Sequence, residues 1–313
     1  MHFIESFHDG DRISDVYLCR SRATALTKAG KEYDNVILQD KTGQIDSKIW
    51  DLSSGGIGDF DALDFVYAAG QVTSYNGALQ FKIERIRRAE ENEYIAADYI
   101  PCSRYGIEDM YGELMEYVKS IKNPFIKKLL TDFFVEDTAF ISSFKNVSAA
   151  KTVHHGFSGG LLEHSLSVTR ICVKMAENYD YLNRDLLVAC AMLHDAGKVK
   201  ELSAFPKNDY TDEGNFIGHI VMGYEMVMEK IRRIEGFPEI LASEIGHCIL
   251  AHHGELEYGS PKKPSIAEAL ALSLADNMDA KMETMREVLD TKDTNDWLGY
   301  NRWLESNVRK TQI

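Results

Sequence analysis

The chain has no CxxC pair, no long apolar run and no surplus of positive charge, and each absence excludes something. Its five cysteines, Cys19, Cys102, Cys172, Cys190 and Cys248, are scattered and odd in number. That is the pattern of reduced, mostly buried thiols in a cytoplasmic protein, not of a disulfide scaffold. No uninterrupted apolar stretch approaches the roughly 18–20 residues of a membrane span, so no membrane partner is expected. Residues 1–10 carry His and acidic side chains around no apolar core, so no signal peptide is expected either. Net charge is −14, from 35 Lys plus Arg against 49 Asp plus Glu. A broad basic surface of the kind that coats duplex DNA is thereby excluded. A narrow basic groove is not, and bound divalent ions would add positive charge at one place. The chain also lacks repeats and low-complexity tracts. With 313 residues, 44% hydrophobic and 27% charged, it has globular composition and a length that suits two domains.

Residues 1–90 read as β. Strand-like runs occupy 15–27, 34–40, 44–50, 64–74 and 78–86. Two pairs are joined by turns, Lys41-Thr42-Gly43 and Tyr75-Asn76-Gly77, and Asn-Gly is the strongest short hairpin signal. Five strands with a helical or irregular segment near 52–60 fit a small Greek-key barrel of the OB type. Segment 91–145 is expected to be a linker and helical connector, with Pro101 in its polar part and Pro124 placed to start a helix. Apolar residues spaced by three and four then predict helices at 160–179, 184–195, 219–234, 238–253 and 265–290. The expected fold is a multidomain α+β chain: a five-stranded OB-type barrel over 1–90, the connector over 91–145, and an all-α domain over 146–313.

Chemistry concentrates in the helical part. His164, the pair His194-Asp195, His219, the pair His252-His253 and Asp276 are metal-type ligands. A lone His on a helix is weak evidence, but the pairs stand at telling positions. His194-Asp195 ends the apolar run 185–193, where two ionisable groups cost several kcal/mol unless paired or metal-bound. Gly197 and Lys198 follow at once. A helix ending at Gly197, with Lys198 complementing its dipole, accounts for those two residues but leaves His194-Asp195 unexplained. His252-His253 likewise ends an apolar-faced helix before Gly254. Neighbours on a helix project about 100° apart, so both can ligate only where the helix ends in a pocket. Asp276 falls in a buried-type stretch, where a carboxylate wants a metal, a cation or backbone partners. His and Asp together suit Mn²⁺, Fe²⁺, Zn²⁺ or Co²⁺. Seven such ligands are too many for one ion and about right for two, a device used to hydrolyse phosphoesters.

His164, His194-Asp195 and Asp276 together match the H…HD…D signature, so the chain resembles the HD superfamily of phosphohydrolases over about 145–290. The segments 154–164, 193–202, 252–261 and 275–281, with the barrel ahead of them, make the whole chain similar to the YhaM-type 3′–5′ exoribonucleases. Where the bimetallic cyclic-dinucleotide phosphodiesterases of the superfamily carry Gly-Tyr-Pro after the paired His, this chain has Tyr258-Gly259-Ser260-Pro261. The resemblance implies two divalent ions, Mn²⁺ first, with Co²⁺, Fe²⁺, Zn²⁺ or Mg²⁺ as alternatives. One would be held by His164, His194, Asp195 and Asp276, the other by His219, His252, His253 and a bridging Asp195. Asp195 and Lys198 would be the catalytic residues. A water activated between the ions would attack phosphorus while Lys198 stabilises the phosphoryl oxygens. His154 and His155 are candidates for substrate contact; a capped helix start with solvated His accounts for them as well.

On the barrel, aromatics and cations are the groups that hold single strands. Candidates include Tyr33, Trp50, Tyr67, Tyr75, Phe81 and Lys82, although about half of any strand's aromatics must face the core. The resemblance implies metal-dependent 3′–5′ degradation of single-stranded RNA to nucleoside monophosphates, and the sequence leaves open whether single-stranded DNA is also a substrate. Phosphodiesterase or nucleotidase action on small or cyclic nucleotides is the alternative enzyme. A nucleic-acid-binding protein with a structural metal is the alternative outside enzymes. The aromatic tail 296–303 is compatible with docking on its own domain or in a homo-oligomer.

Overall fold

The computed structural model describes residues 2–75, 77–95, 98–100, 102–150, 156–290, 294 and 296–312. It forms two compact units, Met1–Cys102 and Ser103–Ile313.

The first unit is a closed barrel of β1 (Arg12–Leu26), β2 (Glu32–Asp40), β3 (Gly43–Ile49), β4 (Phe65–Tyr75) and β5 (Ala78–Arg88), in the order β1-β2-β3-β5-β4. The length of β1 closes it. Residues Arg12–Leu18 pair with β4, residues Leu18–Leu26 pair with β2, and an irregularity between Cys19 and Ser21 lets the strand bend from one partner to the other. The β3–β5 pairing is parallel and the others are antiparallel. This is the OB topology, and it leaves no sheet edge exposed along the barrel. Alternation sends Val36, Leu38, Ile45, Ile49, Val66 and Val72 into one core. Tyr75 and Ala78 pair directly, which makes the β4–β5 turn a two-residue one; Asn76 lies outside the described residues.

Phe81 belongs to that same core. It is 0% exposed and its ring meets Phe7 at 6.3 Å, so its placement among the base-contacting candidates is corrected. Period-2 alternation in β5 turns Phe81 and Ile83 inward and Lys82 outward.

The second unit is helical: α1 (Ile107–Ser120), α2 (Pro124–Thr131), α3 (Thr138–Asn146), α4 (Gly160–Asn178), α5 (Arg184–Leu193), α6 (Lys198–Glu201), α7 (Asp212–Ile217), α8 (His219–Arg233), α9 (Glu239–Ala251) and α10 (Ala267–Asp290). A hairpin of β6 (Trp297–Asn301) and β7 (Ser306–Arg309) follows. Side-chain caps set several starts: Asn123 accepts from the amides of Phe125 and Ile126 with Pro124 at the first position, and Asn183 accepts from Leu186. Leu186–Leu193 of α5 is buried on every side, with α4, α9 and α10 packed around it. The expected connector over 91–145 is also corrected. Met110, Leu114, Ile126, Leu129, Phe140 and Phe144 from α1–α3 lie in the same apolar cluster as α4, α5, α9 and α10, so these helices are part of the helical unit. Among the described residues, no helix is long and apolar enough to cross a membrane.

Candidate metal centre

Five helices or helix ends deliver the seven ligand-type side chains to one place. His164 lies just inside α4, His194-Asp195 follow α5, His219 opens α8, His252-His253 follow α9, and Asp276 lies within α10. Two groups result: His164, His194 and Asp276, and separately His219, His252 and His253, with candidate ligand atoms within 4.8 Å of one another in each. Asp195 stands between them. Its Oδ2 is 3.5 Å from His164 Nε2 and 3.4 Å from His194 Nε2. Its Oδ1 is 3.5 Å from His219 Nε2 and 3.6 Å from His252 Nε2. Asp276 Oδ1 lies 3.2 Å from His164 Nε2. Donor atoms on one ion, each roughly 2.0–2.2 Å from it, stand about 3–3.5 Å apart, so these separations fit ligand shells.

Each of the five imidazoles has its other nitrogen engaged by a carbonyl or carboxylate oxygen. His194 Nδ1 donates to the Ala191 carbonyl at 2.8 Å and His252 Nδ1 to the Ile249 carbonyl at 2.7 Å, the same device at two helix ends. His253 Nδ1 donates to the Tyr258 carbonyl, His164 Nδ1 to Asp279 Oδ2 and His219 Nδ1 to Glu201 Oε1. A carbonyl or carboxylate only accepts, so Nδ1 carries the proton and a neutral ring turns the lone pair of Nε2 toward the centre. Asp195 Oδ1, His219 Nε2 and His252 Nε2 are buried and make no hydrogen bond among the described residues. Three such acceptors aimed at one another fit a cation.

Burial alone would lower His164, but the Asp276 and Asp279 carboxylates outweigh it and raise the ring to about 10, so without a cation this ring keeps a proton on Nε2 that a bound metal would displace. Burial would raise Asp195, yet Lys198 and the neighbouring His hold it well below the usual carboxylate range. Burial pushes His252 and His253 down, which keeps both neutral at pH 7 with lone pairs available. Lys198 donates to Asp195 Oδ2 at 2.6 Å; burial opposes its charge, and Asp195 more than restores it.

Two glycines make the geometry feasible. Gly254 ends the His252-His253 turn at φ +80°, a conformation that favours glycine. Gly197 lies against the start of α8: a Cβ there would fall 2.0 Å from the His219 carbonyl oxygen and 2.6 Å from the Gly223 nitrogen.

Two further carboxylates, which the sequence does not single out, contact the ligand-type rings. Asp279 accepts from His164 at 2.7 Å and from the Ser167 hydroxyl. Glu201 Oε1 accepts both the ring proton and the backbone amide of His219, and its carboxyl is held low by that ring against the opposing effect of burial. The available signal for Asp279 was its place three residues after Asp276, on the same helix face. Asp279→Asn is expected to weaken metal binding about 10–100-fold, read by titration calorimetry with Mn²⁺. Unchanged affinity would refute the orienting role.

A cavity of about 500 Å³ opens onto the centre, lined by His164, Lys198, His253, Tyr258, Asp276 and Trp303 among others. His154 and His155 lie outside the described residues. On the barrel, Trp50 stacks on Tyr33 at 4.7 Å and is partly exposed, Tyr75 is exposed, and Lys82 points outward. Arg87 covers the Tyr67 ring.

Residues 161–281 match the HD domain family, a span that contains all seven ligand-type residues. The 3′–5′ exoribonuclease YhaM of Bacillus velezensis is 36% identical over 285 residues, 90% of this chain and 88% of that protein. The chain belongs to the YhaM family. The YhaM of Bacillus pumilus is 35% identical over 292 residues, 92% of this chain and 90% of that one. Both YhaM proteins match across barrel and helical unit together. Among solved structures, the second OB-fold domain of replication protein A from Methanococcus maripaludis covers 29% of this chain and 95% of its own, at 18% identity and a TM-score of 0.22.

Proposed function

We propose that this member of the YhaM family is a metal-dependent 3′–5′ exoribonuclease that shortens single-stranded RNA by nucleoside monophosphates. The observation that carries the reading is the Asp195 carboxylate, whose two oxygens face two groups of imidazole nitrogens. His164, His194, Asp276 and Asp195 Oδ2 would hold one divalent ion, and His219, His252, His253 and Asp195 Oδ1 a second. Mn²⁺, Fe²⁺, Co²⁺ and Zn²⁺ all suit this mixture of imidazole and carboxylate, and Mn²⁺ is the ion to test first. Such ions, when bound, lower the pKa of water and offset phosphoryl charge.

The protein's own groups do the rest. Asp279 and Glu201 fix the rings of His164 and His219. Lys198, kept charged by Asp195, lines the cavity and would face a non-bridging phosphate oxygen. On the barrel, Trp50, Tyr75 and Lys82 would hold the strand by stacking and charge.

The test is a time course on 5′-labelled single-stranded RNA with Mn²⁺, run beside the same sequence as DNA and beside free and cyclic nucleotides. A descending RNA ladder with release of monophosphates is the expected result. Intact RNA together with hydrolysis of the small nucleotides would transfer the assignment to a small-nucleotide phosphodiesterase.

A further inference from the structure

We propose that Trp303 is the surface on which the base of the 3′-terminal nucleotide stacks, an inference that rests on the exoribonuclease reading. Trp303 lies in the turn between β6 and β7, far in sequence from every ligand, yet it lines the same cavity as His164, Lys198, His253 and Asp276. Trp303 is 52% exposed, so half of its surface is accessible beside the cavity.

The turn is built to hold it there. Asn301 Oδ1 accepts from the amides of Trp303 at 2.9 Å and Leu304 at 3.0 Å, fixing the backbone on either side of the indole. A two-stranded hairpin alone is marginal in water. This one packs on α10, the helix that carries Asp276, and buries Val308 to 2% exposure. Ligand and indole therefore share a support.

The chemistry around the indole selects the partner. The Arg302 guanidinium lies over one face of the Trp303 ring, 4.5 Å from its centroid, so a base would take the opposite face. Residues 297–310 hold Arg302, Arg309 and Lys310 against Glu305, a positive segment in a chain of net charge −14. An aromatic face with cations beside it is the combination that binds single-stranded nucleic acid, by stacking on the base and attraction to the backbone. A cavity of about 500 Å³ is in the size range of small-molecule sites, and His164, Lys198 and Asp276 line it together with Trp303. Stacking accepts any base, so all four nucleotides are removed alike.

The experiment compares binding of 5′-AMP with that of ribose 5-phosphate, which has the phosphate and lacks the base, to the full chain with Mn²⁺ by titration calorimetry. The wild-type protein is expected to prefer 5′-AMP. Trp303→Leu, which keeps apolar bulk, is expected to lose about 5–100-fold in 5′-AMP affinity and little for ribose 5-phosphate, while Trp303→Phe keeps most of the preference. On RNA oligonucleotides, the Leu variant should raise KM for an ordinary 3′ end and leave KM for an abasic 3′ end unchanged. Equal losses on both ligands would make Trp303 a packing residue and overturn the proposal; so would a full preference for 5′-AMP in the Leu variant. Intact RNA with a Trp303-dependent preference for 5′-AMP would instead sink the exoribonuclease reading and leave the stacking role standing.

Discussion

Asp195→Asn is expected to lower RNA hydrolysis by about a thousandfold or more and to leave the helical fold in place. The substitution keeps size and shape and changes only what the side chain offers. In the native chain one carboxylate presents an oxygen to each group of imidazoles, and Lys198 donates to Oδ2 at 2.6 Å. In the variant the amide oxygen still accepts from Lys198. The amide nitrogen then faces His219 Nε2 and His252 Nε2, two buried acceptors that make no hydrogen bond among the described residues. An N–H placed there satisfies acceptors that would otherwise take a cation, so the fold is kept and the site is closed. Metal content by mass spectrometry should fall with activity, and far-UV circular dichroism should not change. An Asp195→Asn protein that stays within tenfold of wild-type activity with full metal content would refute the bridging role.

Removing divalent ions is expected to abolish the ladder and to lower the melting temperature, and Mn²⁺ is expected to restore both. The thermal effect follows from the same orphaned atoms. Leaving a buried polar group unpaired costs about 1–3 kcal/mol, and Asp195 Oδ1, His219 Nε2 and His252 Nε2 are three such groups. A cation that binds only the folded chain adds about 2.7 kcal/mol at a hundred times its dissociation constant. For a helical unit of this size that is a rise of roughly 5–10 °C. Scanning calorimetry with EDTA, then with graded Mn²⁺, reads it directly. Asp195→Asn should show little of the rise. Superimposable melts with and without Mn²⁺ would refute a cation at this centre.

The parts of this arrangement legible in the sequence have a common property: local pattern and long-range structure agree there. Strands of the barrel alternate, the main helices carry apolar residues at three- and four-residue spacing, and His194-Asp195 and His252-His253 end runs that are buried as expected. Phe81 is also legible as core, because it shares the apolar phase of β5 with Ile83 while Lys82 and Glu84 take the other; aromatic type alone does not decide the face. Asp279 and Glu201 are hidden in the sequence because a lone carboxylate beside Asn277-Met278, or in Lys198-Val-Lys-Glu201, resembles an ordinary solvated charge. Only the fold brings each against an imidazole. The helices of 107–146 looked like a connector because their partners lie far ahead in the chain. The tail's aromatics were visible, but their support by α10 was not.

The contact at Gly197 restricts how this centre could change over evolutionary time. The residue sits directly after the His194-Asp195 turn, and its missing side chain is what lets His219 approach Asp195. Alanine would place a methyl carbon 2.0 Å from the His219 carbonyl oxygen, far inside contact distance, and would force α8 outward. The spacing between the two groups of ligands therefore cannot drift by small side-chain exchanges at that position. It is either kept or lost at one step.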